Sequence, residues 1–214
     1  MIKNFNKIIK NIKAMNLPRT EFVNFMEEIH DPFIVLIACI LSLRTNDKTT
    51  YPATMRMLKL GKTPKDFLNV KLEDLEKAIF PVGFYKNKAK QILDISYELY
   101  NNYNSCVPKD IDELIKFKGV GRKTANLVQA KGYNLPSICV DVHVHRISNR
   151  LGLVCTKEPE ETEFALKENL PKKSWSEINT LFVTLGQNIC KPINPKCKIC
   201  NLNSYCDYYK KQLS

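Results

Sequence analysis

Four cysteines near the end of the chain constrain its folding more than any other feature of the sequence. They follow the spacing Cys-x6-Cys-x2-Cys-x5-Cys, at Cys190, Cys197, Cys200 and Cys206. Thiolates at these offsets can enclose one inorganic centre, which predicts a compact loop built around metal. Zinc sites usually contain two short Cys-x2-Cys pairs and only one is present, so the spacing favours an iron–sulfur cluster while zinc stays open. Disulfides are the least favoured alternative, since the sequence carries no recognisable secretion signal.

The rest of the sequence has the periodicity of a helical protein. Apolar residues recur at helical intervals, and no run alternates between apolar and polar residues as strands do. Asp31 and Pro32 predict the start of a helix that runs to about Leu43, and its apolar character on nearly all sides predicts the centre of a domain. Asp110 and Glu113 predict a capping box. Other helices are predicted over residues 20–29, 47–60, 72–80, 86–100, 110–117, 122–131, 140–151, 159–169 and 174–187. The expected fold class is all-α.

The charge of the chain favours a polyanionic partner. Its 214 residues include 33 lysines and arginines against 22 aspartates and glutamates, a formal net charge of +11. Clustered basic residues bind nucleic acid by neutralising phosphates, although the same excess can serve solubility alone. The longest apolar run, residues 33–41, is too short to cross a bilayer, and residues 1–15 predict a basic surface helix rather than a targeting segment. We therefore expect no membrane anchor and a cytoplasmic location with the nucleoid.

The segment around two closely spaced glycines is the second informative motif. Gly119, Val120 and Gly121 separate two predicted helices, and glycine allows backbone conformations and close approaches that other residues resist. Val120 would fill the gap between the helices. Such a turn is either a tight hairpin without a ligand or a phosphate site, because the N–H groups that begin a helix can bind an anion.

In its full context, Phe-Lys-Gly-Val-Gly-Arg-Lys-Thr-Ala, this motif resembles the helix-hairpin-helix DNA glycosylases, and most closely the endonuclease III-like family. The resemblance extends over nearly the whole chain. It implies contacts to DNA phosphates by Gly119, Val120, Gly121 and Arg122. Lys118 departs from the family, which usually has proline at this position, and it adds positive charge beside the phosphate.

The same resemblance assigns the role of catalytic nucleophile to Lys123. An isolated lysine would normally be a solvated surface charge. Here the start of a helix and the neighbouring Arg122 both favour the neutral amine, which is the nucleophilic form. The implied chemistry is bifunctional. A damaged pyrimidine is flipped out of the duplex, and the amine displaces the base and forms a Schiff base with the opened sugar. β-Elimination then cuts the strand 3′ to the lesion.

A second family motif, Val-Asp-x-His, implies the catalytic carboxylate. It assigns that role to Asp141, which would stabilise positive charge developing on the sugar and assist proton transfer. Taken alone, an aspartate before a helix predicts an N-cap, and the two roles are compatible. His143 also matches the family and is expected to support the structure or contact a phosphate. His145 has no role implied by the family, and the His-x-His pair lacks a further nearby ligand for a metal.

The spacing of the four C-terminal cysteines also matches the family, which implies that they bind a [4Fe–4S] cluster. All ligands of the cluster are then protein thiolates, so the expected role of the cofactor is structural. The same loop contains Lys191, Lys196 and Lys198. We expect Lys191 and its basic neighbours to contact DNA phosphates.

Two further segments are expected to enter the duplex where a base has been flipped out. Arg44 lies in a stretch that matches the intercalating loop of the family, where better-known members carry glutamine, and its charge can alter the preference for the opposite base. Phe84 occupies the position where relatives place an apolar wedge, although a core aromatic residue is the alternative. Pro52 also departs from the usual family pattern.

The resemblance implies a monomer of two domains, one of which is discontinuous in sequence. Residues 25–135 would form a six-helix domain that contains the hairpin. Residues 1–24 and 136–214 would form a helical domain that carries the cluster loop, with the catalytic cleft between the two domains. The implied partner is double-stranded DNA that contains damaged pyrimidines or abasic sites.

Other functions stay open at this level. A thymine or uracil mismatch glycosylase of the same superfamily would share the fold, although such relatives usually lack the lysine. Adenine glycosylases are expected to carry an additional C-terminal domain. A non-catalytic helix-hairpin-helix protein would explain the charge and the glycines. It would not explain the combination of Lys123, Asp141 and four ordered cysteines.

Overall fold

The computed structural model describes residues 4–213, so residues 1–3 of the predicted N-terminal helix lie outside the described residues. In chain order the helices are α1 (Phe5–Ala14), α2 (Glu21–Glu28), α3 (Pro32–Ser42), α4 (Asp47–Met57), α5 (Pro64–Phe67), α6 (Leu72–Ile79), α7 (Tyr85–Asn102), α8 (Ile111–Leu114), α9 (Arg122–Leu127), α10 (Val142–Arg150), α11 (Pro159–Asn169), α12 (Trp175–Asn188) and α13 (Asp207–Leu213). A π-helical turn follows α9 at Val128–Gly132, and 3-10 turns occur at Lys172–Ser174, Cys197–Ile199 and Asn203–Tyr205. Residues 4–213 contain no β-strand, which confirms the all-α fold class.

The chain forms two compact units. One unit contains Met1–Arg19 and Pro136–Ser214, and the other contains Thr20–Leu135. None of the described helices has both the length and the apolar character needed to cross a lipid bilayer.

Helix α3 is the centre of the Thr20–Leu135 unit. Asp31 caps its N-terminus by accepting a hydrogen bond from the Ile34 N–H at 2.9 Å, and Pro32 occupies its first turn, which confirms the prediction. Every residue from Phe33 to Leu41 is buried. Helix α3 is apolar around its whole circumference, and neighbouring segments enclose it on all sides.

Helix α9 does not continue as the regular α-helix that the sequence predicts. It passes into the π-helical turn, where the Tyr133 N–H donates to the Val128 oxygen at 3.2 Å. Gly132 ends this turn against α3, since a Cβ at that position would lie 2.6 Å from the Pro32 Cα. Glycine therefore permits a backbone contact that any side chain would obstruct.

Two helices end earlier than predicted. At each of these ends the backbone N–H donates to the oxygen three residues earlier, as in a 3-10 turn, and not four residues earlier. Helix α4 ends at Met57 rather than Leu60, and the Leu60 N–H donates to the Met57 oxygen at 2.9 Å. Pro52 lies inside α4 and is exposed. Helix α8 ends at Leu114 rather than Phe117, and the Phe117 N–H donates to the Leu114 oxygen at 3.3 Å.

The prediction of a capping box is confirmed for Asp110 and wrong for Glu113. Asp110 Oδ1 accepts from the N–H groups of Asp112 at 2.8 Å and Glu113 at 3.2 Å, as an N-cap should. The Glu113 carboxylate does not return to the cap. It accepts from Lys116 Nζ at 2.5 Å and from the Tyr103 hydroxyl at 3.3 Å, and these donors replace the backbone N–H.

The other unit has a core that combines distant parts of the chain. Helix α1 buries Phe5, Ile8 and Ile12 in the same cluster as Ile147 of α10 and Phe182 of α12. The predicted basic surface helix is therefore also a core element, with one face buried and with Lys7, Lys10 and Lys13 exposed. Helices α5 and α13 have no counterpart among the predicted helices.

Candidate functional site

The hairpin between α8 and α9 is supported from outside the motif. Gly119 has a φ of 76°, in the left-handed region that favours glycine, and Val120 is buried. Gln91 of α7 donates from Nε2 to the Lys118 oxygen at 2.7 Å. The same Nε2 would lie 2.6 Å from a Cβ at Gly119. Gln91 therefore fixes the hairpin against α7, a contact that the sequence motif does not reveal.

Helix α9 begins directly after the second glycine of the hairpin. Gly121 is its N-cap, and a Cβ added there would meet no described atom within 4 Å. Arg122 and Lys123 form the first turn and are both partly buried. The N–H groups of a first turn have no partners within their own helix, and the helix dipole makes this end positive. The start of α9 is therefore suited to an anion.

Asp141 is the N-cap of α10. Its Oδ1 accepts hydrogen bonds from the N–H groups of His143 and Val144, both at 2.9 Å. The N-cap prediction is confirmed. Two backbone donors on one oxygen fix the orientation of the partly buried carboxylate.

His143 is fixed by a glycine and an arginine. Its ring packs on α12 at Gly186, where a Cβ would lie 2.2 Å from His143 Nδ1. The Arg146 guanidinium is 3.0 Å from the same Nδ1, and a guanidinium can only donate. Nδ1 is therefore an acceptor, which puts the proton of the neutral ring on Nε2.

His145, for which the sequence implies no role, belongs to a hydrogen-bond network between α10 and α11. Its Nδ1 lies 2.7 Å from Thr162 Oγ1, and this hydroxyl lies 2.6 Å from Thr156 Oγ1. Asn149 joins the network by donating to Thr156 Oγ1 at 3.1 Å. The contacts of His145 are those of a structural residue.

Arg44 and Phe84 come from different loops and lie against each other. The Arg44 Cζ is 5.9 Å from the centroid of the Phe84 ring, a cation–π arrangement. Phe84 is 61% exposed, so the alternative of a core aromatic residue is wrong. Both residues have positive φ, 54° for Arg44 and 58° for Phe84. We refer to them below as the Arg44–Phe84 pair.

The four C-terminal cysteines line one cavity. Apolar side chains close it, among them Leu185, Ile189 and Leu202. Burial raises the pKa of the Cys197, Cys200 and Cys206 thiols. Among the described residues, no three His, Cys, Asp or Glu side chains converge closely enough to hold a single metal ion. Four thiols around one cavity are a donor set that fits a metal–sulfur cluster.

Two arginines of α10 hold the start of the cysteine loop. Arg146 donates to the Cys190 oxygen from Nε at 3.2 Å and from Nη2 at 2.9 Å. Arg150 Nη1 donates to the Lys191 oxygen at 2.7 Å and lies 3.4 Å from the Cys190 sulfur. The Cys206 thiol in turn donates to the Arg150 oxygen at 3.4 Å. The backbone of Lys191 is thus fixed while its side chain is exposed. Sequence reasoning missed both arginines, since they act through tertiary contacts.

Comparison with known families defines the class of the protein. Residues 37–172 match the model described as "HhH-GPD superfamily base excision DNA repair protein". This range includes the hairpin, Lys123 and Asp141. The helical fold, the hairpin and the match together define a helix-hairpin-helix protein of base excision DNA repair.

Individual relatives narrow this class. Endonuclease III of Thermotoga maritima is 47% identical over 182 residues, 85% of each chain. A trapped endonuclease III–DNA covalent intermediate has a TM-score of 0.86 at 34% identity and covers 100% of this chain and 99% of that one. A thermostable thymine-DNA glycosylase has a TM-score of 0.83 over 98% and 100% of the two chains, but at 23% identity it shares the fold alone. The chain belongs to the endonuclease III family and is a DNA glycosylase and lyase of base excision repair.

Proposed function

We propose that the chain removes oxidised or otherwise damaged pyrimidines from duplex DNA, with Lys123 as its nucleophile, and then cuts the strand 3′ to the lesion. The observation that carries the proposal is the position of Lys123, partly buried in the first turn of α9 directly after the hairpin. A glycosylase that lacked a lyase step would need no amine at this position. The lysine therefore favours the bifunctional reaction.

The chemistry begins at the neutral amine of Lys123. Nζ attacks C1′ of the flipped nucleotide, the bond from C1′ to the base breaks, and its electron pair leaves with the base, which takes up a proton. The nitrogen, after losing a proton, forms the C1′=N double bond of a Schiff base as the C1′–O4′ bond breaks and O4′ takes up a proton. Loss of a proton from C2′ and departure of the 3′ phosphate complete the β-elimination and cut the strand.

Asp141 is proposed as the carboxylate that assists this attack. Both backbone hydrogen bonds of its side chain go to Oδ1, so Oδ2 is the oxygen that remains for the substrate. A carboxylate oriented in this way can stabilise positive charge on the sugar and accept a proton from the attacking amine.

The proposed DNA contacts begin at the hairpin, where Gly119, Val120, Gly121 and Arg122 would bind a phosphate through backbone N–H groups. The space around Gly121 supports this contact, because a phosphate can approach where a side chain would stand. The backbone of Gly121, with a φ of −100°, is accessible to any residue, so the fold itself does not require glycine there.

Three further DNA contacts are part of the proposal. The Arg44–Phe84 pair would fill the gap that the flipped base leaves, with the aromatic ring as a wedge and the guanidinium against the orphaned base. His143 would contact a phosphate. Lys191, exposed at the start of the cysteine loop, would neutralise another phosphate.

A [4Fe–4S] cluster bound by Cys190, Cys197, Cys200 and Cys206 is the proposed cofactor. Its shared cavity and the Arg150 donor near the Cys190 sulfur support this assignment. When bound, the cluster joins the four thiolates into one rigid loop, and its role is structural. We further propose that residues 25–135 act as the six-helix domain and that residues 1–24 with 136–214 act as the cluster domain of a monomer. It would act on chromosomal DNA in the cytoplasm.

A duplex with one thymine glycol tests the proposed function. We expect the purified protein to release the damaged base, to cut the strand 3′ to the lesion, and to form a covalent adduct in the presence of borohydride, which reduces a Schiff base. Activity on thymine or uracil opposite guanine without activity on thymine glycol would favour the mismatch glycosylase. Binding without base release or cleavage would contradict an enzymatic function.

Replacing Cys197 by serine tests the proposed cofactor. We expect the variant to lose most of its bound iron and visible absorbance and to unfold with a free energy lower by roughly several kcal/mol, because a bound metal centre contributes directly to folding. Elemental analysis and thermal unfolding measure both effects. Cys155→Ser is the matched control, since Cys155 is exposed and lies outside the loop. Zinc in place of iron in the wild type, or equal iron in both variants, would refute the assignment.

A further inference from the structure

Lys88 is a buried lysine beneath the loop that carries Arg44. It belongs to α7 and is 6% exposed. Its Nζ donates to the Leu41 oxygen at 2.9 Å, the Leu43 oxygen at 2.5 Å and Thr45 Oγ1 at 3.2 Å. All three acceptors are neutral oxygen atoms. Burial lowers the pKa of Lys88 to about 8, while Cys39 acts weakly in the opposite direction. A buried ammonium that is compensated only by neutral oxygens is costly for a core, which makes Lys88 a candidate for a functional role.

The three acceptors of Lys88 lie on both sides of Arg44 in the chain. Leu43 and Thr45 are the immediate neighbours of Arg44 in the chain. Thr45 Oγ1 also accepts from the Gly83 N–H at 3.2 Å, and Gly83 directly precedes Phe84. One ammonium and one hydroxyl therefore connect both loops of the Arg44–Phe84 pair.

The two loops are also in close backbone contact. A Cβ at Gly83 would lie 3.1 Å from the Arg44 oxygen and 3.3 Å from Thr45 Oγ1. The loops can approach this closely because position 83 has no side chain. A change in the path of the first loop would therefore displace the second loop as well.

The conformation of the pair needs such support. Arg44 and Phe84 both occupy the left-handed region, which residues other than glycine populate sparsely. Such a conformation persists only when the surrounding structure holds it. An exposed aromatic ring beside an exposed guanidinium would otherwise have many other conformations available in water.

We infer that Lys88 is a positioning residue that holds the Arg44–Phe84 pair in the conformation in which it enters the duplex. This inference rests on the proposed function of the pair. Lys88 does not touch DNA or the reacting atoms. Its ammonium draws the Leu41, Leu43 and Thr45 oxygens to one point and so sets the register between the two loops. A pair that is already ordered enters the duplex without the entropic cost of ordering the loops at that moment.

Lys88→Met tests this inference, because methionine keeps most of the length of the side chain and removes the ammonium. The probe is a duplex with a stable tetrahydrofuran abasic analogue opposite 2-aminopurine, whose fluorescence rises when the orphaned base loses its stacking. We expect wild type to give this rise and Lys88→Met to lose most of it, with excision of thymine glycol slower by about tenfold to a hundredfold. Lys90→Met is the matched control, since Lys90 is exposed on the same helix.

A double-mutant cycle separates positioning from a general loss of structure. In an Arg44→Ala, Phe84→Ala background, Lys88→Met should have almost no further effect on excision, because the residues it positions are gone. An undiminished effect in that background would show that Lys88 acts elsewhere. If Lys88→Met fails to fold, Thr45→Val replaces it, because valine removes the shared hydroxyl with little change in volume. This variant should also lose most of the fluorescence rise. Equal fluorescence in Thr45→Val and wild type would then overturn the inference.

The outcomes also separate this inference from the proposed function. Wild type that forms no borohydride adduct at an abasic site contradicts the proposed function. Wild type that forms the adduct and gives the fluorescence rise, together with an equal response from Lys88→Met, contradicts only the role of Lys88.

Discussion

Lys123→Ala is expected to abolish the borohydride-trapped adduct and to slow strand cleavage by on the order of a thousandfold or more. The reason is chemical, since alanine has no amine to attack C1′ or to form the Schiff base. Lys123→Arg is expected to be nearly as inactive, because the guanidinium keeps the positive charge at the start of α9 but stays protonated and is a poor nucleophile. The pair of variants therefore separates nucleophilicity from charge. Gel electrophoresis of a labelled thymine glycol duplex, with and without borohydride, measures both products.

The control for this prediction is Lys77→Ala. Lys77 lies on the exposed surface of α6, 3.9 Å from Asp74, and its replacement removes the same charge. We expect it to retain the adduct. Base release by Lys123→Ala at the wild-type rate would instead mean that a water molecule displaces the base, and Lys123 would lose its assigned role.

Asp141→Asn is expected to slow base excision by about a hundredfold or more while leaving the stability of the protein nearly unchanged. The structure explains why the excision rate and the stability should respond differently. The Asp141 oxygen that caps α10 has an equivalent in the asparagine amide, which can accept the same two N–H bonds at His143 and Val144. The negative charge alone is lost. Asp141→Ala removes the cap as well and should lower the free energy of unfolding by about 1 kcal/mol.

Asp31→Asn is the matched control for Asp141→Asn. Asp31 caps α3 through one oxygen that accepts from the Ile34 N–H, so the exchange makes the same chemical change at another helix start. We expect this control to keep full activity. A loss of stability but not of excision rate in Asp141→Asn would reduce Asp141 to a structural cap. Because no base has to leave at a preformed abasic site, the effect of Asp141→Asn should be smaller on that substrate.

Much of the fold could be predicted because local chemistry determines it. Asp31 and Pro32 mark the start of α3 through short-range hydrogen bonding, and the apolar run that follows can only be buried. The errors arise where distant residues decide. The π-helical turn after α9 ends where Gly132 meets Pro32, which no window of neighbouring residues contains. The Glu113 carboxylate accepts hydrogen bonds from Lys116 and Tyr103 and not from the N-cap backbone. The sequence alone does not distinguish between these donors.

Helices α5 and α13 show a different limit of prediction. Helix α5 is a single turn, Pro64–Phe67, which begins with a capping box between Thr63 and Asp66. It has too few residues for an apolar period to be detected. Helix α13 follows Cys206 directly, and its polar sequence gives no amphipathic pattern that would distinguish it from a loop.

The residues of the candidate site also fall into those that the sequence predicts and those that it does not. Lys123, Asp141 and the four cysteines lie in short contiguous motifs, so a resemblance to known relatives is enough to propose their roles. Their supporting residues are scattered. Gln91, Lys88 and Arg150 act through contacts with segments far away in the chain, and as single residues they carry the ordinary appearance of helix-surface side chains. Only a structure can connect them to the residues they hold.

The shared core of α1 and α12 has a consequence for the order in which the chain folds during synthesis. Phe5 and Ile8 belong to the same buried cluster as Ile178 and Phe182, which are translated long after them. The Thr20–Leu135 unit, contiguous in sequence, can fold while the remainder is still being translated. Until the later helices have been made, the apolar face of α1 has no core to pack against. The cysteine loop is translated later still, so the cavity that its thiols share with Leu185 of α12 can form only after α12 has been made.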